Sequence, residues 1–243
     1  MKRKQIAAFM ITGTLLCSPV LTIAGGIRAY AADNQFAGEE WYDQISTVEV
    51  NREPAHATFM PYESAEKALE YEKTALDDKD ERDSAYYQSL NGTWKFKYAE
   101  KPADREKQVF GEDAKEYQEN WDTSEWDDIE VPSNIQTQKD ENGDFKYDTP
   151  IYTNQTYPWA NYETVEYHTN GQNRPVAPTV KNTVGQYKRT FTVPEDWDGR
   201  DVFVSFQGVE SAFYLYINGQ KVGYAEDSYT VDEFNITPYL KEG

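Results

Sequence analysis

The segment Phe213–Tyr224, FYLYINGQKVGY, constrains the fold of this chain more than any other. Phe213, Leu215 and Ile217 share one face of an extended strand, and Tyr214 and Tyr216 point the other way. Asn218-Gly219 follows, the dipeptide that best tolerates positive φ at both central positions of a type I′ turn. Val222 and Tyr224 continue the alternation on the returning strand. The pattern predicts an antiparallel β-hairpin.

Other segments repeat the theme. Trp94, Phe96 and Tyr98 alternate with Lys95 and Lys97 after the turn residues Asn91-Gly92. Ile129–Val131 reads as a short strand closed by Pro132, and residues 139–148 as a polar hairpin tip around Asn142-Gly143. Tyr187, Arg189, Phe191 and Val193 alternate with polar neighbours, and Val202, Val204 and Phe206 form the next strand. Short strands separated by turn chemistry, with little helix, predict an all-β fold: an antiparallel two-sheet sandwich of jelly-roll type.

The first residues read as a targeting segment outside that fold. Lys2, Arg3 and Lys4 form a basic n-region, Ile6 to Ile23 an apolar run, and Ala29-Tyr30-Ala31 a small-x-small cleavage site. Gly13, Pro19 and Gly25-Gly26 interrupt the apolar run, which favours a cleaved signal peptide (1–31) over a membrane anchor. Cleavage removes 31 of the 243 residues, leaves 212, and takes away the single cysteine, Cys17. Secretion to the bacterial exterior is the expected localisation. The core must then hold without disulfides, and an aromatic content of 15% supplies apolar area for it.

Lys2, Arg3, Lys4 and Arg28 leave with the leader, so the formal charge of −19 falls by four to about −23. Such a field repels phosphate backbones and anionic lipid heads, which argues against nucleic acid and membrane surfaces as partners; neutral sugars feel no such penalty. Residues 32–88 read as an extended N-terminal arm, rich in Glu, Asp, Lys and Ala. Within it Ser64-Ala-Glu-Lys67 is a weak helix start, and the run Asp77–Asp83 a solvated loop. Residues 100–119 are charged and read as a short helix and loop crossing the sheet edge.

Several chemistries are hard to build here. The chain has two histidines, His56 in the arm and His168 in a long Pro/Asn/Gly-rich loop, too few for a zinc site or a Ser-His-Asp triad. No glycine-rich phosphate loop is present. Acidic neighbours such as Asp77/Asp78 and Asp127/Asp128 do not face one another across a pocket as glycosidase carboxylates must. No catalytic residue and no metal site is expected in this segment. The sequons at Asn91, Asn154 and Asn235 read as chance in a bacterial chain.

Pro150-Ile-Tyr-Thr-Asn-Gln-Thr-Tyr-Pro158, followed by Trp159, is the candidate binding loop. Prolines pre-set a rigid backbone, the Asn154 amide offers donors and an acceptor, and aromatic faces suit C–H-rich sugar rings. By composition alone a purely structural loop remains open as the alternative.

The loop resembles the PIYTN-x-TYP segment of the family 2 glycoside hydrolases, above all the large β-galactosidases. GVESAF at 208–213, NGQKVGY at 218–224 and the Glu-Asp-Ser of 226–228 are similar to the N-terminal sugar-binding domain of that family. Ser89–Phe96, Val131–Gln136 and Val184–Phe191 extend the resemblance, which runs from about Asn51 to Gly243. It implies a galactose-binding-like jelly roll over 89–243, C-terminally incomplete because the strands that usually close it after Leu240 are missing. It also implies that Asn154 contacts the galactosyl group as a substrate-binding residue.

What the resemblance implies for the parent is broader: a retaining β-galactosidase acting on terminal non-reducing β-D-galactose. An immunoglobulin-like domain and a (β/α)₈ barrel with two catalytic glutamates would follow in the same chain. No cofactor is expected to be bound by this segment. Mg and Na belong to the full-length enzyme by the same resemblance, and the arm is expected to help subunits associate into a homo-oligomer. A non-catalytic carbohydrate-binding module, or a β-glucuronidase or β-mannosidase, stands as the alternative.

Overall fold

The computed structural model describes residues 5–10, 40–44, 46–74, 84–106, 121–150 and 182–241, with backbone alone at 5–10 and 71–74. The described strands are β1 (Gln5–Met10), β2 (Glu49–Val50), β3 (Gly92–Ala99), β4 (Asp127–Val131), β5 (Val184–Phe191), β6 (Phe203–Phe206), β7 (Ala212–Ile217), β8 (Gln220–Glu226) and β9 (Asp232–Asn235). One sheet of seven strands has the order β2-β8-β7-β1-β5-β3-β4, and β6 pairs with β9 in a second. All the pairings are antiparallel. The all-β sandwich read from the sequence is the observed fold, and among the described residues helix is confined to α1 (Ala65–Thr74) and short 3-10 turns.

The hairpin forms as its turn chemistry requires. Asn218 and Gly219 adopt φ of 51° and 76°, the two left-handed positions of a type I′ turn. Leu215 pairs with Gly223 and Tyr216 with Lys221, so Val222 bulges out of the β8 ladder. Its carbonyl accepts a hydrogen bond from Asn51 Nδ2 at 2.7 Å.

Two cores follow from the alternation. Phe213, Leu215 and Ile217 of β7 pack between the sheets with Trp94, Phe96, Ile129, Val204, Phe234 and Ile236. On the other face of the large sheet Tyr214, Tyr216 and Tyr224 pack with Trp121 and Trp126. A face made of tyrosines needs a cover that can also meet hydroxyls. The arm supplies one: Trp41 stacks on Tyr214 at 5.4 Å, and the Trp41 backbone N–H donates to the Tyr214 hydroxyl at 3.0 Å. Lys221 Nζ lies 3.5 Å from the Trp41 ring centre on the same side.

The arm is stitched further along the β8 and β9 edges. β2 pairs with β8, Glu226 N–H donates to the Val48 carbonyl, and Glu53 N–H donates to that of Glu233. At its far end the arm holds α1, which the sequence marked only weakly. Ser64 Oγ accepts from Lys67 N–H at 3.3 Å, so Ser64 caps the helix without a partner carboxylate at Lys67.

Residues 5–10, read from the sequence as leader, run as β1 through the middle of the large sheet. The backbone groups of β5 and β7 that face one another across the sheet are thus paired through β1, an apolar stretch that satisfies both rows at once. Asp77–Asp83 lies outside the described residues, as do 107–120 of the charged crossing segment.

Candidate functional site

The candidate loop is anchored at two stems, and the sheet explains how each is held. The outgoing stem follows the hairpin tip at 139–145, where Lys139 bridges to Phe145 and the Asp140 carboxylate accepts from the backbone N–H groups of Asn142 and Asp144. It then passes Tyr147, Asp148 and Thr149. The returning stem enters β5 at Val184. Asn154 itself, and His168, lie outside the described residues.

Aromatic side chains from β3, β5 and the outgoing stem form the mount. The Tyr147 ring meets Phe96 edge-on at 4.9 Å and lies 5.6 Å from Tyr98, and Phe96 also packs on Tyr187 at 4.8 Å. Edge-to-face contacts at these distances fix ring orientation as well as bury area. Gly185 makes the packing feasible: a Cβ there would sit 2.9 Å from Ile135 Cδ1 and from the Tyr187 ring.

Polar bonds tie the mount to the stems. The Tyr98 hydroxyl lies beside Asp148 on the outgoing side and Thr183 on the returning side. Burial, then the negative charges of Asp148 and Glu100, push its phenol up to about 12, so it stays a neutral donor at physiological pH. Tyr147 Oη donates to Asp127 Oδ2 at 2.8 Å, and Lys146 Nζ ion-pairs with Asp127 Oδ1 at 2.9 Å. Partial burial pulls the Asp127 carboxyl upward, but the bonds from Lys146 and Tyr147 outweigh it and hold the group below the usual carboxylate range. Asp128 pairs with Lys95 at 2.7 Å on the exposed side of the same strand. The Asp127/Asp128 pair is thus bound to cations and a phenol, and is structural.

Tyr98, Tyr147, Asp148 and Gly185 were not singled out as site residues in the sequence. Tyr98 and Tyr147 read there as strand alternation and hairpin polarity. The signal that marks them is position: each lies within three residues of a loop stem or directly across the sheet from one. Among the described residues no group of three or more His, Cys, Asp or Glu is arranged to hold a metal ion.

The described residues define an antiparallel β-sandwich in which the two flanks of the segment 151–181 are held beside β3 and β5. The family described as "Glycosyl hydrolases family 2, sugar binding domain" matches residues 87–243, and the chain belongs to this family. It is 45% identical over 204 residues to a protein named beta-galactosidase from Priestia megaterium (strain DSM 319 / IMG 1521). It is 38% identical over 203 residues to another of that name from Halalkalibacterium halodurans. Each alignment covers 84% of this chain and 17% of the relative. A beta-galactosidase large subunit from Lactobacillus helveticus is 33% identical over 85% of this chain and 30% of its own length. The chain thus spans less than a third of each of these relatives.

Proposed function

We propose that the parent protein is a secreted β-galactosidase, hydrolysing terminal non-reducing β-D-galactose residues with retention, and that this segment positions the sugar. The observation that carries the reading is the similarity to beta-galactosidases across 84% of this chain. The anchored loop stems give that similarity a physical counterpart. In this reading the outgoing stem, packed through Tyr147 on Phe96 and Tyr98, and the returning stem at 182–184 form the base from which the Asn154 amide meets a galactose hydroxyl.

In the reaction a glutamic acid protonates the glycosidic oxygen as the bond to the anomeric carbon breaks, and a glutamate attacks that carbon from the opposite face. Water then releases the covalent sugar with the first residue acting as base, so configuration is retained. Both glutamates belong to a part of the parent outside residues 1–243. This segment's part is orientation, the residues of the loop holding the ring while bonds change elsewhere. Mg and Na are assigned to the parent as a whole. A lone Asn154 carboxamide offers one neutral oxygen, which is not a complete ligand set for either ion.

The purified parent should cleave a chromogenic β-galactoside in preference to the matching β-glucuronide and β-mannoside, and the 1–243 segment alone should cleave none of them. Turnover by the segment alone would defeat the division of labour. A parent that binds galactosides without cleaving them would make the carbohydrate-binding module the correct description.

A further inference from the structure

We propose that residues 48–56 of the arm form a two-proton latch on β9, docked while Asp232 and His56 each hold a proton and loosened when they lose them. The segment runs from one sheet to the other. β2 pairs with β8 through Glu49 and Val50, and shortly after it the Glu53 N–H donates to the Glu233 carbonyl of β9 at 2.8 Å. Two side chains of the segment then reach consecutive residues of β9, Arg52 to Asp232 and His56 to Glu233. Consecutive strand residues point to opposite faces, so the two contacts differ in kind. Asp232 is buried, and Glu233 is partly exposed.

Hydrogen-bond geometry calls for a proton at each contact. His56 Nδ1 lies 2.9 Å from the Ala57 carbonyl oxygen, and Nε2 lies 2.7 Å from Glu233 Oε2. Both partners are acceptors, and a neutral imidazole carries a single N–H, so only the imidazolium makes both bonds. Asp232 presents the complementary case. Its Oδ1 accepts from Arg52 Nη1 at 2.9 Å, while the buried Oδ2 meets no donor among the described residues. Ionisation leaves charge on an unsolvated oxygen, whereas protonation leaves a neutral hydroxyl, whose burial costs far less.

The surrounding charges favour the same protons. Glu49 of β2 and Asp227 of the turn between β8 and β9 face Asp232 with negative charge, and the Arg52 guanidinium opposes them. Glu233 and Glu53 face His56, both negative. Burial raises the Asp232 carboxyl above its ordinary range, and the bond to Ala57, then that to Glu233, raises the His56 imidazole.

Both protons therefore act in one direction. Once the arm lifts, water reaches the two groups and they return to ordinary values, so docking takes up protons. Their contribution is fully present below the ordinary values and is lost as pH rises through the raised ones. Each proton changes the docking equilibrium by up to about tenfold per pH unit within its window, and where the windows overlap the factors multiply. Release uncovers the β8 edge at Tyr224 and Ala225, a row of backbone groups open to pairing with another chain.

Amide exchange of residues 48–56 in the full-length parent, corrected for the intrinsic rate and followed from about pH 5 to about pH 8, tests this. Protection of the segment should fall about tenfold or more across that range, while β3, at the far side of the large sheet, keeps its own. H56Q retains a donor toward Glu233 without a titrating proton and should show a shallower fall. Combined with D232N it should show a flat profile. His56 is a half-exposed side chain, so H56Q tests its proton even where D232N does not fold. A flat wild-type profile overturns the proposal, as does a fall shared equally by β3. An H56Q profile as steep as that of the wild type, or a double variant with the wild-type pH dependence, overturns it as well.

Discussion

Replacing Arg52 by alanine breaks an ion pair between the arm and a buried carboxylate of the sandwich. Asp232, in β9, is 0% exposed. Its Oδ1 accepts from Arg52 Nη1 at 2.9 Å, and its Oδ2 has no hydrogen-bond partner among the described residues. Burial pushes the Asp232 carboxyl up, the Arg52 guanidinium opposes that push, and the charges of Asp227 and Glu49 add to it. Breaking a buried pair from one side leaves the remaining charge uncompensated, at a cost of about 3–5 kcal/mol. Arg52 is partly solvated and also touches Glu49, so the lower end of that range is expected.

The pH dependence follows from the raised carboxyl. The folded state binds this proton more tightly than the unfolded state. The group therefore adds most stability below its unfolded pKa, and that contribution is lost as pH rises through the folded value. In Arg52→Ala the upward push is unopposed by the guanidinium, so the deficit is greatest near neutrality and shrinks on acidification. Amide exchange along β6 and β9 of the parent, at about pH 7.5 and about pH 5.5, measures it. Adding Asp232→Asn should recover much of the loss. A loss below about 1 kcal/mol, or one equal at both pH values, would refute the reasoning.

Three further outcomes are expected. A Cβ at Gly223 would sit 2.4 Å from the Val50 carbonyl oxygen and 2.6 Å from the Phe234 ring, so Gly223→Ala should cost about 1–3 kcal/mol and speed exchange in residues 48–53; an unchanged arm would refute the close approach. His56 is raised above its ordinary value by its bond to the Ala57 carbonyl and then by Glu233 at 2.7 Å, so this arm contact should hold below about pH 6.5 and loosen as pH rises through the raised value, an order that NMR titration of the ring would reverse if the reading were wrong. Tyr98→Phe keeps the ring contact with Tyr147 but removes the hydroxyl that lies beside Asp148 and Thr183; kcat/KM for a galactoside should fall about two- to tenfold with the melting temperature little changed, and the reverse pattern would make Tyr98 merely structural.

Much of the sandwich was legible because its signals are local. Asn218-Gly219 marked a hairpin, and the alternation at Trp94–Tyr98 set which side chains face inward, whereas in β5 the polar alternates Gln186 and Lys188 are buried as well, because both faces of that strand are covered. The arm was less legible. Its docking depends on pairings across some 170 residues, such as Asn51 with Val222 and Arg52 with Asp232, which no local period announces. Asp232 itself reads as an ordinary polar strand residue until Arg52 is seen beside it. Gly223 carries a signal in hindsight, a glycine inside a strand where another backbone passes closely. The place of β1 in the sheet was not legible for a different reason: an apolar run with a basic start carries the same pattern whether it is exported or paired in a sheet. For the site, sequence named the loop and its asparagine, while the mount of Tyr98, Tyr147 and Gly185 emerged from packing alone.

The measurement that bears most directly on the proposed role of this segment is the kinetics of Asn154→Ala in the full-length parent, with its thermal unfolding recorded on the same sample. An amide bonded to a galactose hydroxyl contributes about 0.5–1.5 kcal/mol, and more where a buried hydroxyl is left without a partner. The expected result is a loss of about tenfold or more in kcat/KM for a β-galactoside with an unchanged melting temperature. An unchanged kcat/KM would remove Asn154 from the sugar site, and with it the role in substrate positioning assigned to this domain.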